Sequence, residues 1–128
     1  MNKAVVLTDG EHYRLCSSFC VTYMERKFCI PSGFITDFAS VPRVLWVIFP
    51  PFGVYTKAAV FHDWLYQFGD FTRAEADKAF LDAMVSLGVP LWKRTALYYG
   101  VRLGGWSAWR EYEKQRNFLK YIDSDKVV

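Results

Sequence analysis

Histidine is scarce in this chain of 128 residues: only His12 and His62 occur. Proton chemistry near neutral pH therefore has few side chains to use. Cysteine is also sparse, with Cys16, Cys20 and Cys29 giving an odd number and no Cys-x-x-Cys pair. That usage reads as thiols in a reduced compartment, with a core built without disulfides. Together with His12 the cysteines do not follow the spacing of a zinc knuckle. Cys16 and Cys20 would simply share one face of a strand, where cysteine behaves as a small hydrophobe. No apolar run reaches the ~20 residues needed to cross a bilayer. The longest, residues 44–55, carries Pro50, Pro51 and Gly53. Residues 1–7 are too short an apolar start, and too soon broken by Asp9-Gly10, to read as a signal peptide. Neither a membrane span nor a leader is expected, and contact with a membrane surface stays open. Gly-x-Ser-x-Gly is missing as well, so a Ser40–His62–Asp77 triad ranks below a mechanism with water as the nucleophile.

What the chain has in abundance is aromatic side chains, 19% of all residues, spread through every segment. At this length a single domain burying roughly two thirds of its unfolded surface is expected. The net charge of +3 is modest but unevenly placed. Residues 91–120 hold seven basic side chains against Glu111 and Glu113. Such a face suits phosphate head groups, nucleic acid or an acidic protein, with a plain solvated helix face as the equal alternative. Trp92, Arg94, Arg102, Trp106, Trp109 and Arg110 are the candidates for a partner or membrane surface. No recognised motif supports nucleic acid. Gly104-Gly105 would let another backbone approach, from the preceding helices or from a neighbouring subunit, so an oligomer is open.

The pattern predicts an α+β domain over residues 1–128, mainly β and loop over 1–43 and mainly helical over 44–120. Phe19, Val21 and Tyr23 alternate with Cys20 and Thr22, Glu25-Arg26 can turn, and Lys27-Phe28-Cys29-Ile30 returns. Pro31-Ser32-Gly33 ends this antiparallel β-meander. A short helix is expected at 44–49, stopped by Pro50-Pro51, and another at 57–68, ended by Gly69. Thr72-Arg73-Ala74-Glu75 is a capping box opening a helix that buries Ala76, Phe80, Ala83, Met84 and Leu87 before Gly88 and Pro90. A last long helix runs from about 91 towards 115, with a soft spot at Gly104-Gly105. The expected architecture packs the meander on a C-terminal three-helix unit.

Within this frame His62 stands in an apolar helical run, where burying an imidazole is costly unless a partner holds one nitrogen. The short connection between Gly69 and Ala74 forces the two middle helices to lie antiparallel and adjacent. Asp77 then falls beside His62 and Asp63. A histidine base oriented by Asp77, with Asp63 and Asp37 free to hold a cation, could deprotonate a water for ester hydrolysis. The competing reading is a structural His–Asp bond tying two helices together, with Asp37 and Ser40 forming a turn or a helix cap.

His62-Asp63-Trp64-Leu65-Tyr66 followed by Ala76-Asp77-Lys78-Ala79-Phe80 resembles the helix pair of secreted and prokaryotic phospholipases A2. The resemblance covers about thirty residues. It implies His62 as general base, Asp63 as a Ca2+ ligand, and Tyr66 and Asp77 as residues orienting the histidine. The Gly- and Cys-rich calcium loop of those enzymes and their interhelical disulfides have no counterpart here. A wider set of blocks resembles a small family of phage and prophage proteins without an established function: Phe34-Ile35-Thr36-Asp37-Phe38-Ala39-Ser40-Val41-Pro42, Ala59-Val60-Phe61-His62-Asp63-Trp64-Leu65-Tyr66, Ala76-Asp77 and Val101-Arg102-Leu103-Gly104-Gly105.

The resulting expectation is a phage-encoded, virion-associated or late-expressed hydrolase acting on phospholipid of the host envelope, made in the host cytoplasm. One alternative is a non-catalytic tail or assembly protein that docks on phage structural proteins through its aromatic basic helix. A second is an intracellular binder of a host factor.

Overall fold

The computed structural model describes residues 5–7, 13–36, 42, 44–45, 55–68 and 71–126, with side chains from residue 13 through residue 120. Asp9-Gly10, His12, Asp37, Ser40, Pro50-Pro51 and Gly69 lie outside these residues. Of the helix expected at 44–49, only Val44 and Leu45 are described, and both are helical.

The N-terminal half forms two small antiparallel sheets, where a single meander was expected. β1 (Val5–Leu7), β2 (Tyr13–Leu15) and β5 (Ile35–Thr36) make one, in the order β1-β2-β5. Tyr13 faces Thr36, and β5 is therefore recruited from beyond the second sheet. That second sheet is a hairpin of β3 (Phe19–Tyr23) and β4 (Arg26–Ile30). Its register pairs Phe19 with Ile30, Cys20 with Cys29, Val21 with Phe28 and Tyr23 with Arg26. The turn is one residue earlier than the sequence suggested. Met24 and Glu25 occupy it at φ 51° and 64°, as a two-residue hairpin turn of matching twist requires. No glycine or asparagine marks that position, so turn chemistry could not locate it.

The register also corrects the reading of the cysteines as thiols. Cys20 and Cys29 stand directly opposite each other and form a disulfide, while Cys16 is free and exposed. Two cysteines nine residues apart become neighbours only once the hairpin turn is placed.

Among the described residues four helices follow Val44 and Leu45: α1 (Thr56–Phe68), α2 (Arg73–Ser86), α3 (Leu91–Gly104) and α4 (Trp106–Lys126). The soft spot thus splits the expected long helix in two at Gly105, whose N–H still donates to the carbonyl of Val101. α1 buries nine of its thirteen residues, so it is the central helix with neighbours on nearly every side. The Tyr23 and Phe28 rings of the hairpin meet Phe61 at 6.2 and 5.5 Å, and Phe34 meets Trp64 at 5.3 Å.

α2 is delimited by local chemistry. At its start the Thr72 hydroxyl accepts from the Glu75 amide, and the Glu75 carboxylate accepts from the Thr72 amide. At its end Gly88 has φ +79°, which lets its own amide reach the carbonyl of Val85 and the amide of Val89 reach that of Met84. Ala76, Phe80 and Met84 are buried as their spacing predicts. Ala83 is half-buried and Leu87 is exposed, because Leu87 is already the helix C-cap and no longer follows the inner stripe. Gly104 serves close approach: a Cβ there would lie 2.6 Å from Pro42 Cγ.

Candidate active site

α1 and α2 run side by side, and their inner faces bring His62, Tyr66 and Asp77 together, each with none of its surface exposed. One oxygen of Asp77, Oδ1, lies 2.6 Å from His62 Nε2 and accepts from the Tyr66 hydroxyl at 2.6 Å. Tyr66 sits one helical turn beyond His62, so the same stripe of α1 delivers both donors to a single atom. The other oxygen, Oδ2, accepts from Arg102 at 2.7 Å and from Arg73 at 3.4 Å. Arg73 also reaches the carbonyls of Val101 and Arg102 near the end of α3. One buried carboxylate therefore gathers donors from three helices. The Phe80 ring lies 4.7 Å from the imidazole and Trp109 packs edge-on against Tyr66 at 5.1 Å, closing the cluster with apolar surface.

The protonation pattern follows from these contacts. Burial lowers the His62 pKa below that of an ordinary histidine, and the opposing pull of Asp77 does not restore it. Burial works to raise Asp77, but the hydrogen bonds from His62 and Tyr66 and the Arg102 guanidinium outweigh it. Its carboxyl is held below the usual range. At neutral pH the pair is thus a neutral imidazole donating to an ionised carboxylate, with the charge answered by arginine. Burial, then Asp77, raises the Tyr66 hydroxyl, which stays protonated as a donor.

Asp63 is buried too, but on another side of α1. Its Oδ2 accepts from Gln67 at 2.8 Å and its Oδ1 from Tyr112 at 3.2 Å. Both oxygens that would serve a cation are engaged by protein donors. Among the described residues no group of three His, Cys, Asp or Glu side chains could hold a metal ion. Asp37, the second expected ligand, lies outside them. The described residues by themselves do not form the calcium site that the helix-pair resemblance implies.

The six residues expected on a docking surface divide. Trp92, Trp106 and Arg110 are exposed, with the Arg110 guanidinium over the Trp106 ring. Arg94 donates to the carbonyl of Val89 and anchors the loop before α3. Arg102 and Trp109 turn inward, to Asp77 and Tyr66. The expectation placed Arg102 among surface cations because it is one of seven basic residues over 91–120, and its carboxylate partner is distant in sequence. Arg73 was legible in principle, since it precedes Asp77 by one helical turn. Tyr112 and Arg116, which secures the carbonyl of Tyr66, carry no comparable mark in the sequence.

Among the described residues no helix is long and apolar enough to cross a membrane. No solved structure matches the chain. It is similar, at 37% identity over 81 residues, to "Uncharacterized protein y4jT" of Sinorhizobium fredii (strain NBRC 101917 / NGR234). That alignment takes in 62% of this chain and 24% of the relative, so the chain spans about a quarter of that protein's length. A family model matches residues 13–101, which include His62, Tyr66, Arg73 and Asp77. The chain belongs to the family described as Protein of unknown function (DUF1353).

Proposed function

We propose that the chain is a phage- or prophage-encoded ester hydrolase in which His62 is the base, Asp77 and Tyr66 are its positioning residues, and envelope phospholipid is the substrate. The observation that carries this reading is the shared carboxylate oxygen: Asp77 Oδ1 meets both His62 Nε2 and the Tyr66 hydroxyl at 2.6 Å. A base needs an uncharged imidazole with one nitrogen oriented by an acid, leaving the other to take a proton from water. Burial keeps His62 uncharged and Asp77 fixes its Nε2. Water attacks the ester carbonyl as its proton passes to His62, and the same proton then goes to the departing alkoxide; since no buried side-chain nitrogen among the described residues lacks a partner, the opening that admits substrate must also release the ring's second nitrogen. Because the ring has no exposed surface, substrate reaches it only after neighbouring structure moves aside.

A second reading is favoured by the two arginines. Arg102 and Arg73 complete the Asp77 carboxylate from outside the dyad, and the cluster then works as a lock between helices in a non-catalytic phage accessory protein. Its docking surface would be the exposed Trp92, Trp106 and Arg110. Fatty-acid release from mixed anionic phospholipid vesicles separates the two, measured with wild type and with His62→Gln, which can still donate to Asp77. Hydrolysis by wild type, lost in the variant with thermal unfolding little changed, is expected from the enzyme. No hydrolysis by wild type under either calcium or chelator, with a marked loss of thermal stability in the variant, sinks the enzyme and leaves the lock.

A further inference from the structure

A cleft of about 270 Å³ lies towards the start of α1 and the end of α2, between these two helices and the β3–β4 hairpin. Its walls are mainly apolar: Phe19 and Val21 from β3, Ala58 and Phe61 from α1, Ala83 from α2 and Leu87 at the C-cap of that helix. Small residues at 58 and 83 leave room that larger side chains would fill. Among the polar groups that edge it, the titratable Asp82, Tyr23 and Lys57 are not equivalent. Asp82 is already answered, its Oδ2 accepting from the Tyr23 hydroxyl and its Oδ1 from Lys78, both at 2.8 Å. Burial, followed by Asp82, pushes the Tyr23 hydroxyl up to about 12, so it remains a donor to that acid. Lys57 is different: its ammonium lies 5.5 Å from the centre of the Phe19 ring at the margin of the cleft and, among the described residues, has no carboxylate partner. The cleft is therefore an apolar trough with one uncompensated positive charge at its end.

We propose that this cleft binds a small amphipathic monocarboxylate, its apolar body against Phe61 and Ala83 and its carboxylate on Lys57. The cleft would hold roughly nine waters at about 30 Å³ each, the bulk of an eight-carbon chain or a phenyl ring with a short tail. The charge selects an anion, and the apolar walls select a hydrocarbon over a sugar or a phosphate. This site is separate from the His62 dyad and stands whether or not that dyad is catalytic.

Isothermal titration of the whole chain with octanoate and with 3-phenylpropanoate, below any micelle-forming concentration, tests it. One saturable site is expected for both. Lys57→Glu should weaken binding on the order of tenfold, since an attraction at a partly solvated margin is replaced by a repulsion. Octylammonium should bind at least as much more weakly. Ser86→Trp, at an exposed position on the rim, should abolish binding by filling the mouth while leaving thermal unfolding unchanged. Ala83→Phe provides a second obstruction from the helix side. Absence of a saturable site for either carboxylate overturns the proposal. So does equal affinity for octylammonium, or binding that survives both filling variants.

Discussion

The centre of the helical unit and the β3–β4 hairpin are stabilised in opposite ways. The helical centre relies on one buried carboxylate that residues from three helices share, over separations of 4 to 25 positions. The hairpin relies on partners directly across a two-residue turn, and its disulfide joins two exposed residues. In the first, removing one group strands several others in a low-dielectric site. In the second, the covalent link acts mainly on the unfolded chain, by restricting it. Damage should therefore spread in the helices and stay local in the hairpin.

Asp77→Asn is the sharpest way to test that contrast, because it leaves Arg102 and Arg73 partly buried without a counter-charge. A loss of about 3–5 kcal/mol is expected, read as a fall in the urea midpoint. A loss below 1 kcal/mol would show that the hub is not central to stability. Cys29→Ser, compared with the oxidised wild type, should cost less, about 2–3 kcal/mol for so short a loop, and amide exchange should rise first within residues 19–30. If exchange instead rises throughout α1 and α2, the two regions are one cooperative unit.

The smallest effect belongs to pH. Folded His62 takes up a proton less readily than an unfolded histidine, so the unfolded chain binds the extra proton below about pH 6.5. Stability contributed by the neutral ring is complete above that value and falls on acidification, by at most about 2 kcal/mol at pH 5. Asp77, also depressed, adds its own loss only below about pH 4. Melting curves from pH 7 to 5 should slope less in His62→Gln than in wild type. Equal slopes would mean the imidazole does not report this acid sensitivity.

Much of the helical unit was legible because its signals are local. The capping box fixes where α2 begins, Gly88 where it ends, and the short connection before it makes α1 and α2 antiparallel. From those three facts the meeting of His62 with Asp77 follows. Arg102 was not legible, since nothing within one helical turn of it announces a partner 25 residues away. The disulfide was hidden for a different reason: a one-residue error in the turn changes which residues face each other along the whole hairpin. Asp63 shows a third limit. Its carboxylate suggests a cation, yet Gln67 and Tyr112 take the two oxygens, and only packing reveals that Tyr112 is within reach.

The four-donor carboxylate also constrains how the helices can slide. A displacement of α1 or α3 by one turn, about 5.4 Å, carries His62 and Tyr66 or Arg102 out of bonding range at once. Oily residues can re-form contacts after such a slip, but oriented donors around a fixed anion cannot. Asp77 is thus a register pin, and it singles out one alignment from several that hydrophobic packing alone would tolerate.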